Sequence, residues 1–364
     1  MKLFFKYLFI LLLFNTVFLN IDQSVFNFYY LFLIVMSLGL FLSITNPNAV
    51  KLVLFNRGFL YLGFINLVNL VYFLLFDINV ESFYFLISRA VQFILICFAI
   101  FYHYNYFKNK FLDHIVYFIS IISILGFILP ISIFENRFSG ILWNENMLAS
   151  LTGIAFSILL IKNKIFSKFQ LILLFLLLLS SLLTGTRSVL IYIVLAFIYK
   201  YGFSFKNFIY TILGFAILIS INHRVFSSEN DRFSQWVEGV SNISKNPYIG
   251  YGLSVYDGSL DTNLEYGGVH NGYLSFIMQY GIIFGSFIIF IILRKSLLTW
   301  IYFKDPPEYI RAYLFIVIIT LITALVETLM TGINEFQTLL FWFSLSFLSF
   351  VKFSNIDYGE NRDY

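Results

Sequence analysis

The chain has 364 residues, a net charge of +4 and 12% charged side chains, against about 25% in an average soluble domain. Hydrophobic residues make up 60% and Phe alone occupies 48 positions, more apolar surface than a water-soluble fold of this length can hide. These numbers exclude a cytosolic enzyme, a disordered chain and a nucleic-acid-binding module.

A helix needs about 20 apolar residues to cross the hydrocarbon core. Twelve such runs follow one another, near 3–20, 25–45, 58–76, 83–103, 112–131, 146–161, 169–185, 188–203, 207–221, 273–293, 312–329 and 336–353. The expectation is an all-α polytopic membrane protein of about twelve transmembrane helices, a single integral membrane domain over 1–364. The first run follows Lys2 and Lys6 like a signal peptide, but no small-x-small cleavage site comes after it, so it is read as a retained span.

Basic residues set the orientation. With the N-terminus cytoplasmic, 17 of the 23 Lys and Arg fall on the inner side, and five fall outside: Arg137, Arg187, Arg224, Arg232 and Lys245. Arg89 alone lies inside a span. An even span number gives this alternation, so both termini are expected in the cytoplasm. One connection stands apart: the segment 222–271, between spans nine and ten, is a long external loop, and loops of that length are usually functional.

Four outer arginines break the positive-inside pattern. Each could pair with a nearby carboxylate such as Glu135, Glu229 or Asp231; their convergence on one face favours an anionic ligand, because the guanidinium suits bidentate phosphate recognition. Arg137 opens the segment Arg137-Phe138-Ser139-Gly140, followed by Trp143-Asn144-Glu145-Asn146, where Asn146 can cap the next span. Arg187 sits in the tight turn Gly185-Thr186-Arg187-Ser188.

In the long loop, Ser228-Glu229-Asn230-Asp231 has capping-box character, and Phe233, Trp236, Val237, Val240 and Ile243 follow at helical spacing until Pro247. This is a short amphipathic helix that either lies on the outer leaflet or packs on neighbouring spans. His270-Asn271 precedes the tenth span. His270 is either a plain cap or a proton acceptor, with Asp257, Asp261 and Glu265 as rival bases. Arg89 and Glu327 both lie in the outer leaflet, where charges are functional by default; an ion pair between them is preferred over a catalytic role. Cys97 lies in an apolar run, with no disulfide or thiol metal site in view. The four His are scattered, and no metal-ligand spacing, P-loop or Gly-x-Ser-x-Gly elbow occurs.

Together these residues resemble the O-antigen ligase and polymerase superfamily, over about 135–295 and in the overall span count. Arg137-Phe138-Ser139-Gly140 with Asn146 resembles its Arg-x-x-Gly…Asn loop, and Thr186-Arg187-Ser188 its Ser-Arg-(Ser/Gly) turn. Asn246-Pro247-Tyr248-Ile249-Gly250-Tyr251-Gly252 resembles its Pro-led Gly-x-Gly turn. His270-Asn271 followed by Gly281 resembles its His-Asn…Gly signature, except that Gly285 comes four residues after Gly281 where the family has three, which puts the helix register there in question.

The resemblance implies a glycosyltransferase-C-like helical fold and a metal-independent, cofactor-free membrane glycosyltransferase facing the periplasm from the bacterial inner membrane. Its substrate would be an undecaprenyl-pyrophosphate-linked oligosaccharide. Arg187 with Arg232 or Arg224 would bind the pyrophosphate, Arg137 secondarily, and His270 would act on the acceptor hydroxyl beside Asn271. Polymerisation of O-antigen or capsule repeat units is favoured; ligation of finished polymer to lipid A-core shares the motifs. Partners are the lipid-linked oligosaccharide and membrane lipids, with a chain-length regulator compatible and no nucleic acid. The reading of a different class is a transporter or flippase of lipid-linked oligosaccharide, but no internal repeat occurs and only Pro130 touches a span, at its end.

Overall fold

A backbone in hydrocarbon must satisfy every N–H and C=O internally, and helices do so within one segment. The computed structural model describes residues 2–21, 28–129, 133–134, 137–202, 231–255 and 269–354, and it is helical nearly throughout. Its elements are α1 (Lys2–Phe18), α2 (Phe28–Thr45), α3 (Pro47–Phe55), α4 (Leu60–Phe76), α5 (Val80–Asn109), α6 (Phe111–Ile128), a two-stranded ribbon of β1 (Ile133–Phe134) and β2 (Arg137–Phe138), α7 (Glu145–Lys162), α8 (Lys168–Leu183), α9 (Ser188–Tyr201), α10 (Asp231–Lys245), α11 (Gly272–Tyr302), α12 (Glu308–Thr323) and α13 (Phe336–Phe353).

The architecture is that of an all-α, multi-pass membrane protein. By length and composition, α2, α5, α6, α7, α11 and α13 can each cross a bilayer. A seventh crossing arises where α3 and α4, bent by 102° to each other, count as one broken span. Every expected run except 207–221, which lies outside the described residues, overlaps a helix. The departure from twelve comes from length: α1, α8 and α9 are apolar but shorter than 18 residues, and α12 has 16. The connection expected at 46–57 carries α3 as an extra helix, begun by Pro47, whose fixed φ suits the first turn.

The innermost helix is α13. Residues 336–351 are all buried, against α1, α5, α7, α11 and α12, and an all-round apolar helix is stable only when enclosed. Its serines do not interrupt it, because Ser344 Oγ donates to the carbonyl of Leu340 and Ser346 Oγ to that of Trp342, each 2.7 Å away. On α2, α4, α6 and α11, by contrast, many Phe, Leu and Ile face outward, the pattern of helices solvated by lipid.

The connections gather at two opposite ends. At one, Lys162 meets Asp113 at 2.5 Å, Lys164 meets Glu308 at 2.9 Å, and Lys200 donates to Leu160 and Asn163 carbonyls. At the other lie 19–21, 77–79, 137–144, 184–187, 246–255, 269–271 and 324–335, and all the described candidate residues.

Candidate functional site

Arg137 ties three segments together. From β2 its Nε donates to the carbonyl of Thr184 at 2.9 Å, its Nη2 to Thr186 Oγ1 at 2.8 Å and Asn146 Oδ1 at 3.1 Å, and its Nη1 to Glu145. Among the described residues its carboxylate partner is Glu145, in the first turn of α7; Glu135 lies outside the described residues. Asn144, not Asn146, caps α7: its Oδ1 accepts from the N–H groups of Asn146 and Met147. The extended backbone at Asn144 is what a cap residue needs, and Asn146 is freed for the arginine. Arg187 stands next in the chain, exposed, at the N-terminal boundary of α9.

The turn at 246–252 enters a break in α11. Gly281 has φ +72, a conformation that interrupts the helix and suits glycine. A Cβ there would sit 2.2 Å from the carbonyl oxygen of Tyr248. The carbonyls of Met278 and Gln279, released by the break, accept from Tyr251 and Gly252, while Ile282 N–H donates to Pro247 at 2.7 Å. Asp77 then accepts from Leu253 N–H at 2.6 Å and Ser82 Oγ at 2.5 Å, fastening the turn to the start of α5. The helix register, left in question after Gly281, is interrupted by a break at Gly281 itself, filled by the turn whose glycines had marked it.

The short N-terminal piece of α11 carries His270-Asn271. Asn271 is its cap: Oδ1 accepts from Tyr273 and Leu274 N–H, and Nδ2 donates to Leu325 at 3.0 Å. Gly272 N–H donates to the carbonyls of Ala324 and Glu327, and no side chain would fit at Gly272, because a Cβ would lie 2.2 Å from Leu329 O. His270 itself has φ +43, unusual for a side chain of its size. Its carbonyl accepts from Trp236 Nε1 on α10 at 3.4 Å, and its Nδ1 lies 3.7 Å from Glu327 Oε2.

The expected Arg89–Glu327 ion pair does not form. The helix α12 stops at Thr323, so Glu327 belongs to an irregular connection, 324–335, and not to a span. That connection presents bare main-chain carbonyls to α5. Arg89, 3% exposed, donates to those of Thr331 and Gly332, and Gln92 Nε2 donates to that of Ile333 at 2.6 Å. Buried carbonyls need donors, and the guanidinium supplies several at once. Glu327 faces His270 instead.

A cleft of about 220 Å³ opens between α7 and the 327–337 segment, with His270 and Glu327 on its wall. Glu335, Asn334, Asn144 and Asn20 also line it, and none of these was singled out from the sequence. Glu335 accepts from Thr338 Oγ1 at 2.6 Å. One signal was legible: Asn334-Glu335 is a polar pair directly before a run of apolar residues. No group of three His, Cys, Asp or Glu suited to a metal occurs among the described residues.

The amphipathic helix has two used faces. On one, Gly239 packs on Val269, and the carbonyl of Asn242 accepts from Tyr251 Oη; on the other, Phe233, Val237 and Val240 are exposed. Of Arg232 only the backbone, at the start of α10, is described. Arg224, His223, the Ser228–Asn230 segment, Asp257, Asp261 and Glu265 lie outside the described residues. No family model matches the chain, and no curated protein is similar to it.

Proposed function

We propose that this protein is a membrane glycosyltransferase that polymerises undecaprenyl-pyrophosphate-linked oligosaccharide repeat units at the outer face of the bacterial inner membrane. The observation that carries this reading is His270 Nδ1 at 3.7 Å from Glu327 Oε2 on the wall of a cleft at one end of the bundle. The lysine-rich opposite end is taken as cytoplasmic by the positive-inside rule, which puts the cleft outside. The chain would pass the membrane about twelve times, with 207–221 and the shorter helices included and both termini inside.

In this reading an acceptor hydroxyl oxygen attacks the anomeric carbon of the lipid-linked sugar. The bond from that carbon to the pyrophosphate oxygen breaks, and the lipid pyrophosphate leaves with the electron pair. The hydroxyl proton passes to His270, and the carboxylate of Glu327 stabilises the imidazolium that forms. Arg187, with Arg224 and Arg232, receives the charge of the leaving pyrophosphate. Arg137 is given a positioning role, because its donors are engaged by Glu145, Asn146, Thr184 and Thr186. Asn271 also positions, by capping the helix that presents His270. In this reading the transfer uses the protein's own groups and no metal or cofactor; chain length could be set by a separate regulator.

Transfer of finished polymer to lipid A-core would use the same groups. A flippase is less well supported. Broken helices do mark transporters, but the break at Gly281 is plugged by the 246–252 turn and does not line the cleft. Deleting the gene and examining surface polysaccharide separates the three. A core capped by one repeat unit is expected. Full polymer stranded on the carrier indicates ligation, and units trapped on the cytoplasmic side would overturn the glycosyltransferase reading.

A further inference from the structure

We infer that the groove between α3 and α5 seats the headgroup of an anionic phospholipid from the leaflet at the lysine-rich end. The groove lies at the opposite end of the bundle from the cleft, and the inference does not depend on the reaction proposed above.

Position comes first. The α3 axis is turned 102° from that of α4, so where α4 crosses the bilayer, α3 lies close to its plane. Depth follows from α5, which starts at the other end of the bundle. Phe101 lies about 32 Å along α5 from Val80, at about 1.5 Å per residue, and the hydrocarbon core is about 30 Å thick. Phe101 and Tyr102 therefore sit at the boundary between acyl chains and headgroups, the level at which tyrosine rings collect. The α3 helix packs on α4 and α5 with Ala49 and Val53 buried, and it leaves a groove of about 440 Å³ toward Phe101 and Tyr102.

The lining has two halves, like the lipid. Asn48, Lys51 and Phe55 recur at helical spacing on the groove side of α3. The Lys51 side chain is exposed. Asn56 Oδ1 accepts from Gly58 N–H at 2.8 Å, which leaves the Asn56 amide N–H groups to donate. Together with the Asn48 amide these are donors around one ammonium, a setting for a phosphate oxygen. The other half is apolar. Phe55 is 72% exposed and Phe101 41%, with Val50 and Leu54 exposed on the same short helix, a surface that acyl chains cover.

Charge selects the kind of headgroup. Arg57, in the link to α4, is exposed as well, and among the described residues no Asp or Glu lines the groove. A zwitterionic headgroup would bring its own cation beside Lys51, whereas a phosphoglycerol headgroup brings only the anion. The chain's own segment 355–364, outside the described residues, is the rival occupant, since it follows α13 and carries Asp357, Glu360 and Asp363. Those carboxylates match Lys51, but the segment has one aliphatic side chain, Ile356, to set against the apolar half.

The test uses the full-length chain in detergent, stripped of lipid and titrated with phosphatidylglycerol or phosphatidylcholine, with bound lipid counted by native mass spectrometry. Expected is a first phosphatidylglycerol held more tightly than phosphatidylcholine. Lys51→Ala should weaken that first binding by roughly three- to fivefold, the effect of one cation near an anionic lipid surface, and Lys51→Arg should restore it. Lys164→Ala removes an exposed lysine at the same end but outside the groove and should change nothing. Equal binding of the two lipids, no loss in Lys51→Ala, or an equal loss in Lys164→Ala overturns the inference, because the attraction is then diffuse. Displacement by inorganic phosphate at the lipid's own concentration overturns it by making the groove a site for free anions. Binding that appears only in the triple variant Asp357→Asn, Glu360→Gln, Asp363→Asn overturns it by giving the groove to the chain's own end.

Discussion

Arg89 Nη2 donates to the main-chain carbonyl of Gly332 at 2.9 Å, across 243 residues of sequence. This clamp holds the 324–335 connection against α5 and thereby sets where Glu327 and Glu335 stand. Arg89→Ala would leave the carbonyls of Thr331 and Gly332 buried without donors, at about 1–3 kcal/mol each. The expected outcome is a clearly lowered melting temperature in detergent. Arg89→Lys, which keeps the charge but loses the planar fork, should fall between. A wild-type melting curve for Arg89→Ala would contradict the clamp.

On the proposed glycosyltransferase reading, Glu327 serves chemistry more than stability. Glu327→Gln should melt within about 1 kcal/mol of wild type, since Gln keeps the side chain's shape and its acceptor oxygen, yet polymer formation should fall by roughly 10²-fold or more, the range of general acid–base contributions. His270→Ala should abolish transfer at unchanged protein level. Quantified surface polymer and a melting curve on the same membranes check both. A Glu327→Gln variant that unfolds would return that residue to a structural role.

The 246–252 turn and the α11 break stand or fall together. Gly281→Ala forces a Cβ within 2.2 Å of Tyr248 O at φ +72; a left-handed conformation alone costs roughly 1–2 kcal/mol outside glycine. Gly250→Ala, at φ +76 with Gly281 N 2.4 Å away, meets the same contact from the other side. Each should destabilise strongly, and the double variant should cost less than the two combined, because residues in contact are not additive. Full additivity in thermal melts would show that the two segments are not packed together.

At the opposite end the ion pairs are weak. Lys164 is 79% exposed where it meets Glu308 at 2.9 Å, and exposed pairs contribute about 0–1 kcal/mol. Lys164→Ala should change the melting temperature little. The hydrogen bond from Lys164 holds the Glu308 carboxyl below its ordinary value of 4.5. The small stabilisation from this pair is therefore present above pH 4.5 and lost as pH falls through the lowered value, and Lys164→Ala should remove that acid sensitivity. Unchanged acid sensitivity in the variant would assign it to other groups.

Much of the site could be read from residue types. Gly250, Gly252 and Gly281 signalled backbone that other residues resist, and all three have positive φ. The prominence of Arg137, Arg187 and His270 came from basic or titratable groups on a side where such groups are scarce. What failed was pairing. Arg89 and Glu327 lie at similar depth along the chain, so an ion pair was the economical reading, but depth says nothing of the direction a side chain takes around a helix. Asn146 was a plausible cap two residues out of place, since Asn144 and Asn146 have equal propensity and only the backbone at 144 distinguishes them.

Composition alone determined that this protein lives in a bilayer and is helical, because 60% hydrophobic residues in long uncharged runs leave the backbone no other way to satisfy itself. It also determined which end of the bundle would collect the unusual charges. Only the tertiary structure decided their partners. Arg89 went to the carbonyls of Thr331 and Gly332, Arg137 to Glu145, and Glu327 to His270, because α12 unwinds after Thr323 and α11 breaks at Gly281. Hydropathy is a property of single residues summed along the chain. Which buried donor meets which buried acceptor depends on how the helices pack, and that is settled across hundreds of residues at once.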